Sequence, residues 1–189
     1  MKTVLITGAA SGLGWALSQQ AFSLGHRVIM TDMNALLLAA RADALASQDP
    51  SRVSFHRLDV TDSEAITALV ALLKEKEGGL DVLINNAGIT HRSLADKTDI
   101  AVFRKVMAVD WQAPVEMAVA CLPLLKLSGG GIINIGSMAG WMPVLGRAGY
   151  CSAKSALSQF FEVLRGEVAQ YGVHILMMYP SFLDTPIEK

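Results

Sequence analysis

The 189-residue sequence predicts an α/β fold, a single domain over residues 1–189 in which one parallel sheet is covered on both faces by helices. Short apolar runs alternate with longer helical stretches, as right-handed crossovers require. Glycine and polar punctuation falls after the runs, where ligands sit in such a sheet. No linker, repeat or low-complexity segment interrupts the series.

The first element lies in Thr3 to Gly14, TVLITGAASGLG. Val4-Leu5-Ile6 is fully apolar, as expected of a strand buried on both faces. Of the glycines that follow, Gly8 suits the turn off the strand and Gly12 a close backbone approach by a pyrophosphate. Gly14 suits close packing of a helix on the sheet. The spacing is G-x-x-x-G-x-G and not G-x-G-x-x-G. Ser11 is placed to cap a helix through Trp15, Ala16, Leu17 and Ala21 to Leu24, whose free N–H groups face an anion. Arg27 to Thr31 is the second strand and ends on Asp32, placed to accept hydrogen bonds from ribose hydroxyls and to repel a 2′-phosphate. No Arg or Lys adjoins Asp32 or the turn before Gly12, so NAD is expected over NADP.

Asn34 to Ser47 is Ala/Leu-rich and helical, ended by a Ser-Gln-Asp-Pro turn. Arg52 to Leu58 is a third strand ending on Asp59. Thr61-x-x-Glu64 reads as a capping box for a helix carrying Ile66, Leu69, Val70 and Leu73 on one face and stopping at Gly78-Gly79. Asp81 to Ile84 is a fourth strand, followed by Asn85-Asn86-Ala87-Gly88. One long helical stretch from Asp99 to Leu127 precedes a fifth strand at Ile132 to Ile135; a helix from Tyr150 to Tyr171 leads to a sixth at Val173 to Met178.

Composition narrows the class. A net charge of −1, with 17% charged residues, gives no electrostatic case for nucleic acid or an acidic membrane surface. Cys121 and Cys151 form no disulfide framework and, with His26, His56 and His174 scattered, no metal-ligand set, so no metal is expected. No apolar run approaches a membrane span and no signal peptide is read, so a cytoplasmic protein is expected.

Chemistry concentrates after the fifth strand. Gly136-Ser137 is followed by Tyr150-x-x-x-Lys154, whose side chains share one helix face. An ammonium near a phenol is expected to lower the tyrosine pKa, as a general acid/base needs, while Ser137 can hydrogen-bond the same substrate oxygen.

Together, T-G-x-x-x-G-x-G at Thr7 to Gly14, N-N-A-G at Asn85 to Gly88, Ser137 and Y-x-x-x-K resemble the short-chain dehydrogenase/reductase family in order and spacing over essentially the whole chain. The resemblance implies a Rossmann-type, three-layer, doubly wound parallel sheet and NAD(P)-dependent interconversion of a secondary alcohol and a ketone. It implies that Tyr150 exchanges the proton with the substrate oxygen, that Lys154 holds the nicotinamide ribose and tunes Tyr150, and that Ser137 orients the substrate. Cofactor contacts are implied at Gly8, Ser11, Gly12, Leu13, Gly14 and Asp32, and at Asp59 and Val60 near the adenine. Asn86 and Ala87, with Gly88, are implied near the ribose, with Tyr150, Lys154 and Pro180 to Thr185 toward the nicotinamide.

Three departures stand out. Asp110 occupies the family's usual asparagine position, whose backbone carbonyl holds a water linking the lysine to solvent; Pro114, lacking an N–H, is expected to leave that carbonyl free. Pro180-Ser181 replaces the usual Pro-Gly but keeps Thr185. Beyond Lys189 the resemblance implies a substrate-covering segment and one more strand, so the sheet edge is expected to be covered by further residues or by a partner in a homo-oligomer, a dimer or tetramer.

Two local readings stay open. His91 and Arg92 can meet an anionic substrate or be solvated loop residues. Met138, Trp141, Met142, Val144 and Leu145 can line an apolar pocket, or be core and subunit contact. The leading function is NAD-dependent oxidation or reduction; an NADP-dependent ketone reductase and a catalytically weak dinucleotide-binding regulatory protein are the alternatives.

Overall fold

The structure, a computed structural model, describes residues 1–181. Six parallel strands, β1 (Thr3–Thr7), β2 (Arg27–Asp32), β3 (Val53–Arg57), β4 (Val82–Asn85), β5 (Gly131–Ile135) and β6 (His174–Met178), form one sheet in the order β3-β2-β1-β4-β5-β6. The helices are α1 (Gly12–Ser23), α2 (Ala35–Ala46), α3 (Ser63–Lys76), α4 (Ile100–Met107), α5 (Ala113–Ser128) and α6 (Ala148–Val168). Strand order reverses between β1 and β4, where Leu5 pairs with both Ile29 and Leu83. That reversal opens a crevice at the carboxyl ends of the strands, where such sheets place ligands.

Alternation along each strand sends side chains to two separate cores. Leu5, Ile29, Leu83, Ile132 and Ile175 meet residues of α3, α5 and α6, including Met117 and Phe161. Val4, Ile6, Val28, Met30 and Ile84 meet Phe22 of α1 and Leu38 of α2. The expected Rossmann-type sheet with helices on both sides is therefore present. At β6 the cover is one-sided among the described residues: Ile175 is buried, whereas Leu176 and Met178 are 51% and 45% exposed.

Two local expectations need correction. Asp62, not Thr61, caps α3: its Oδ1 accepts from the N–H groups of Glu64 and Ala65. Thr61 instead donates its N–H and hydroxyl to Asp59 Oδ1 at 2.9 and 2.7 Å, because a carboxylate two residues back offers the stronger acceptor. The long helix expected from Asp99 to Leu127 is also broken. Between α4 and α5, Ala108–Gln112 forms a π-turn in which the Ala113 N–H bonds Ala108, five residues back. Pro114, with no N–H to donate, removes one rung of the regular ladder at this point.

Among the described residues no helix is long and apolar enough to cross a membrane, and no group of three or more His, Cys, Asp or Glu could hold a metal ion.

Candidate active and cofactor site

The glycine turn is held open from both sides. Gly8 and Gly12 have φ of +65° and +50°, a region costly for residues with a Cβ. The first α1 bond runs from the Trp15 N–H to the Ser11 carbonyl, leaving the N–H groups of Gly12, Leu13 and Gly14 ahead of the helical ladder. Ser11 occupies the N-cap position, but its side chain makes no capping hydrogen bond. Gly14 earns its place differently from expectation. A Cβ there would lie 2.0 Å from the Gly8 carbonyl oxygen and 2.5 Å from Asn86 Nδ2, so the close approach is to the turn itself and to the segment after β4.

Asp32 bridges that turn to β2. Its Oδ2 accepts from the Ala10 N–H at 3.1 Å and its Oδ1 from the Asn34 N–H at 2.9 Å. The sequence reading missed Arg41. Nothing adjoining Asp32 is cationic in sequence, yet α2 brings the Arg41 Nε to the Ala10 carbonyl at 3.3 Å and its guanidinium over the Trp15 ring at 4.9 Å. Its position one helical turn beyond Leu37 and Leu38 was the available signal, readable only once α2 is placed.

Thr7 joins the two halves of the sheet. Its hydroxyl accepts from the N–H groups of Asn86 and Ala87, both at 3.0 Å, while Asn86 Nδ2 donates to the carbonyls of Thr7 and Gly8 at 2.9 and 3.1 Å. The Asn86 amide is therefore spent on the turn. Asn85 donates to Asn134 at 2.9 Å and to the Pro114 carbonyl at 3.3 Å, tying β4 to β5 and to the start of α5. Beside these residues a small hollow is lined by Thr7, Val60, Ala87, Val109 and Pro114. Asp59 is fixed by Thr61, whose hydrogen bonds hold its carboxyl below the usual range.

Free N–H groups at a helix start, positive-φ glycines and a carboxylate at the end of β2 form a cradle suited to a dinucleotide.

Ser137, Tyr150 and Lys154 meet beyond β5. Ser137 leaves β5 in extended conformation; its Oγ accepts from the Ala139 N–H at 3.1 Å, and its hydroxyl hydrogen-bonds the Tyr150 phenol. Tyr150 and Lys154 sit one turn apart on α6, with the Lys154 ammonium 5.6 Å from the centre of the Tyr150 ring. Lys154 is only 5% exposed, and its Nζ donates to the Ile135 carbonyl at 3.0 Å.

The charges depart from expectation. Burial pushes the Tyr150 phenol up from its ordinary value, opposed by its hydrogen bond with Ser137 and reinforced by the charge of Asp110. Burial pulls Lys154 down, and Asp110 opposes that fall. The lowering of Tyr150 expected from its lysine is thus not found: burial raises the phenol against its hydrogen bond with Ser137 and the charge of Arg147, which spacing alone does not reveal. Asp110 is 1% exposed on the π-turn and its carboxyl is pushed up to about 6, first by burial, against the pull of Lys154 and the Ile89 N–H. Gly88 lies between the two groups: a Cβ on it would be 3.2 Å from Asp110 Oδ1 and 3.7 Å from Lys154 Nζ.

The surrounding loops are interlocked. Ser93 N–H donates to the Gly146 carbonyl at 2.8 Å, and Arg147 to the Thr90 hydroxyl at 3.2 Å. His91 is half-buried and, with Phe103, Gly149 and Tyr150, borders a second hollow, whereas Arg92 is exposed. Trp141, Met142 and Leu145 are 67%, 58% and 91% exposed, so the core reading of this loop is excluded. Trp141 packs on Tyr179 at 4.3 Å. Pro180 accepts from the Met138 N–H at 3.3 Å, which brings the end of β6 beside Ser137; Thr185 lies outside the described residues. Cys121 is buried, its thiol pushed up to about 12 by burial, and Cys151 is half-buried.

Comparison with known proteins follows the same lines. The chain is 35% identical to estradiol 17-beta-dehydrogenase 2 of Rattus norvegicus, over 98% of this chain and 49% of that one. It is also 35% identical to a 2,5-dichloro-2,5-cyclohexadiene-1,4-diol dehydrogenase of Sphingobium indicum, over 98% of this chain and 74% of that one. A crystal structure of a short-chain dehydrogenase/reductase from Burkholderia phymatum in complex with NAD superposes with a TM-score of 0.93 at 26% identity, covering 98% of this chain and 67% of that one. A family model described as short chain dehydrogenase matches residues 2–189, and the chain belongs to that family of oxidoreductases.

Proposed function

We propose that the protein is an NAD(H)-dependent oxidoreductase that interconverts a secondary alcohol and a ketone. The observation that supports this reading is the convergence of Ser137, Tyr150 and Lys154 beyond β5, on the same carboxyl side of the sheet as the glycine turn and Asp32. Gly8, Ser11, Gly12, Leu13, Gly14, Asp32, Asp59, Val60, Asn86, Ala87, Gly88, Tyr150, Lys154 and Pro180 are the proposed cofactor residues, with Thr185 carried from the sequence resemblance alone. When bound, the nicotinamide gives or takes the hydride at the substrate carbon.

The chain's own residues handle the oxygen. In reduction, Tyr150 donates its phenolic proton to the carbonyl oxygen; in oxidation, the phenolate takes the hydroxyl proton back. Ser137 donates a hydrogen bond to the same oxygen while its Oγ accepts from the Ala139 N–H. The buried Lys154 ammonium supplies a positive charge beside the phenol and the ribose position.

Asp32 supports NAD because a carboxylate repels a 2′-phosphate. Use of NADP(H) is the second reading, and Arg41 favours it, since its guanidinium lies on the same residue, Ala10, that Asp32 holds.

Thermal melting with NAD⁺, NADH, NADP⁺ and NADPH in turn, on the wild type and Asp32→Ala, tests the proposal. A nucleotide at a hundredfold over its dissociation constant stabilises by about 2.7 kcal/mol. For a chain of this size that raises Tm by about 5–11 °C. Stabilisation by NAD(H) that weakens in Asp32→Ala supports the reading, and an alcohol and ketone screen with Tyr150→Phe as control follows. No shift with any of the four refutes it for this chain.

A further inference from the structure

Asp110 has no role in the chemistry just described, yet it is buried against it. The π-turn holds its backbone between α4 and α5 and against α6. Oδ1 accepts the Ile89 N–H at 2.8 Å, while Oδ2 is enclosed without a hydrogen-bond partner. Across Gly88, whose missing side chain leaves room for both, stands the Lys154 ammonium. A carboxyl placed only for packing gains nothing from this arrangement, because an unpaired buried oxygen is costly. Facing a buried ammonium, the same carboxylate supplies the charge that Lys154 otherwise lacks.

Other charges of the packed elements lie elsewhere. On α4, Arg104 and Lys105 are exposed. On α5, Glu116 accepts from Ser63 and Gln112. After Ile89, His91 is half-buried and Arg92 exposed. Arg147, just before α6, and Cys151, on it, act on Tyr150, and Lys154 is the charge that acts on Asp110.

We propose that Asp110 is a positioning residue whose carboxylate balances the buried Lys154 ammonium and so biases Tyr150 toward its protonated form, poising the site for carbonyl reduction. This rests on the alcohol–ketone reading of the site. With Asp110 ionised, the carboxylate supports the Lys154 ammonium, and its field adds to burial in disfavouring the Tyr150 phenolate. A neutral phenol is the form that donates. In reduction the substrate carbon gains hydride from the reduced nicotinamide, the oxygen gains the Tyr150 proton, and the resulting phenolate is reprotonated from solvent.

The test is a tyrosinate absorbance titration of full-length wild type and Asp110→Asn, each against its Tyr150→Phe counterpart to isolate the Tyr150 signal. Removing the negative charge while keeping the shape moves the Tyr150 midpoint at least one pH unit lower, a tenfold rise in its ionisation constant. An unchanged or higher midpoint overturns the proposal. NADH-induced stabilisation, measured on the same samples, keeps two failures apart: its absence in wild type counts against the cofactor reading, while the phenol titration still decides the role of Asp110. If Asp110→Asn does not fold, the Asp110 carboxyl carbon-13 resonance is followed in wild type and Lys154→Met. A titration displaced to higher pH in Lys154→Met supports the coupling, and an unmoved one overturns it.

Discussion

The same substitution at two glycines is expected to have opposite signs. In Gly14→Ala the new methyl would lie 2.0 Å from the Gly8 carbonyl oxygen, and ordinary contact begins at 3.4 Å, so the atoms must separate by about 1.4 Å. The obstacle is backbone, and no rotamer change relieves it. Retreat of α1 also strains the Asn86 Nδ2 bonds to the Thr7 and Gly8 carbonyls. Overpacking of this kind costs about 1–3 kcal/mol, from which the helix preference of alanine over glycine recovers about 1 kcal/mol. The net loss of about 0–2 kcal/mol lowers Tm by up to about 8 °C, and displacement of the N–H groups ahead of Trp15 weakens NADH binding at least tenfold. Gly166, in α6, has nothing within 4 Å of its would-be Cβ. Gly166→Ala is therefore expected to stabilise by about 0.5–1 kcal/mol with NADH affinity unchanged. Urea denaturation and fluorescence titration with NADH check both variants. Gly14→Ala with wild-type stability and wild-type affinity refutes the account of the turn.

Thr7→Val keeps the shape of the side chain but leaves the Asn86 and Ala87 N–H groups without their acceptor. A loss of about 2–4 kcal/mol is expected, read by urea denaturation. Stability of the wild type is expected to fall between pH 4 and 6 through Asp110. Its folded-state pKa is raised above the ordinary 3.8, so the protonated form is favoured in the fold and that stability disappears as pH rises through about 6. The displacement corresponds to about 3 kcal/mol; a difference between wild type and Asp110→Asn that stays constant across this range counts against it.

What the sequence reveals here is whatever the chain encodes locally. Strand runs such as Val4-Leu5-Ile6, the glycine turn and the one-face pairing of Tyr150 with Lys154 depend on neighbours a few residues apart, and each is present. Thr61 misled because two adjacent residues can each cap a helix, and the choice rests on Asp59 competing for the threonine. The π-turn hid inside an unbroken apolar pattern, with Pro114 as its one sign. Arg41 at Ala10, Asp110 at Ile89 and the burial that raises the Tyr150 phenol depend on partners or surroundings assembled by the fold, which periodicity does not encode.

The Thr7 linkage has a kinetic meaning as well. Its hydrogen bonds to Asn86 and Ala87 close sequence separations of 79 and 80 residues, so they cannot form until the β1 and β4 halves have docked. If those contacts form after the transition state, their loss speeds unfolding more than it slows folding. A dinucleotide that binds only the docked seam, as proposed, is expected to stabilise the folded chain by mass action, and unfolding rates with and without NADH check this.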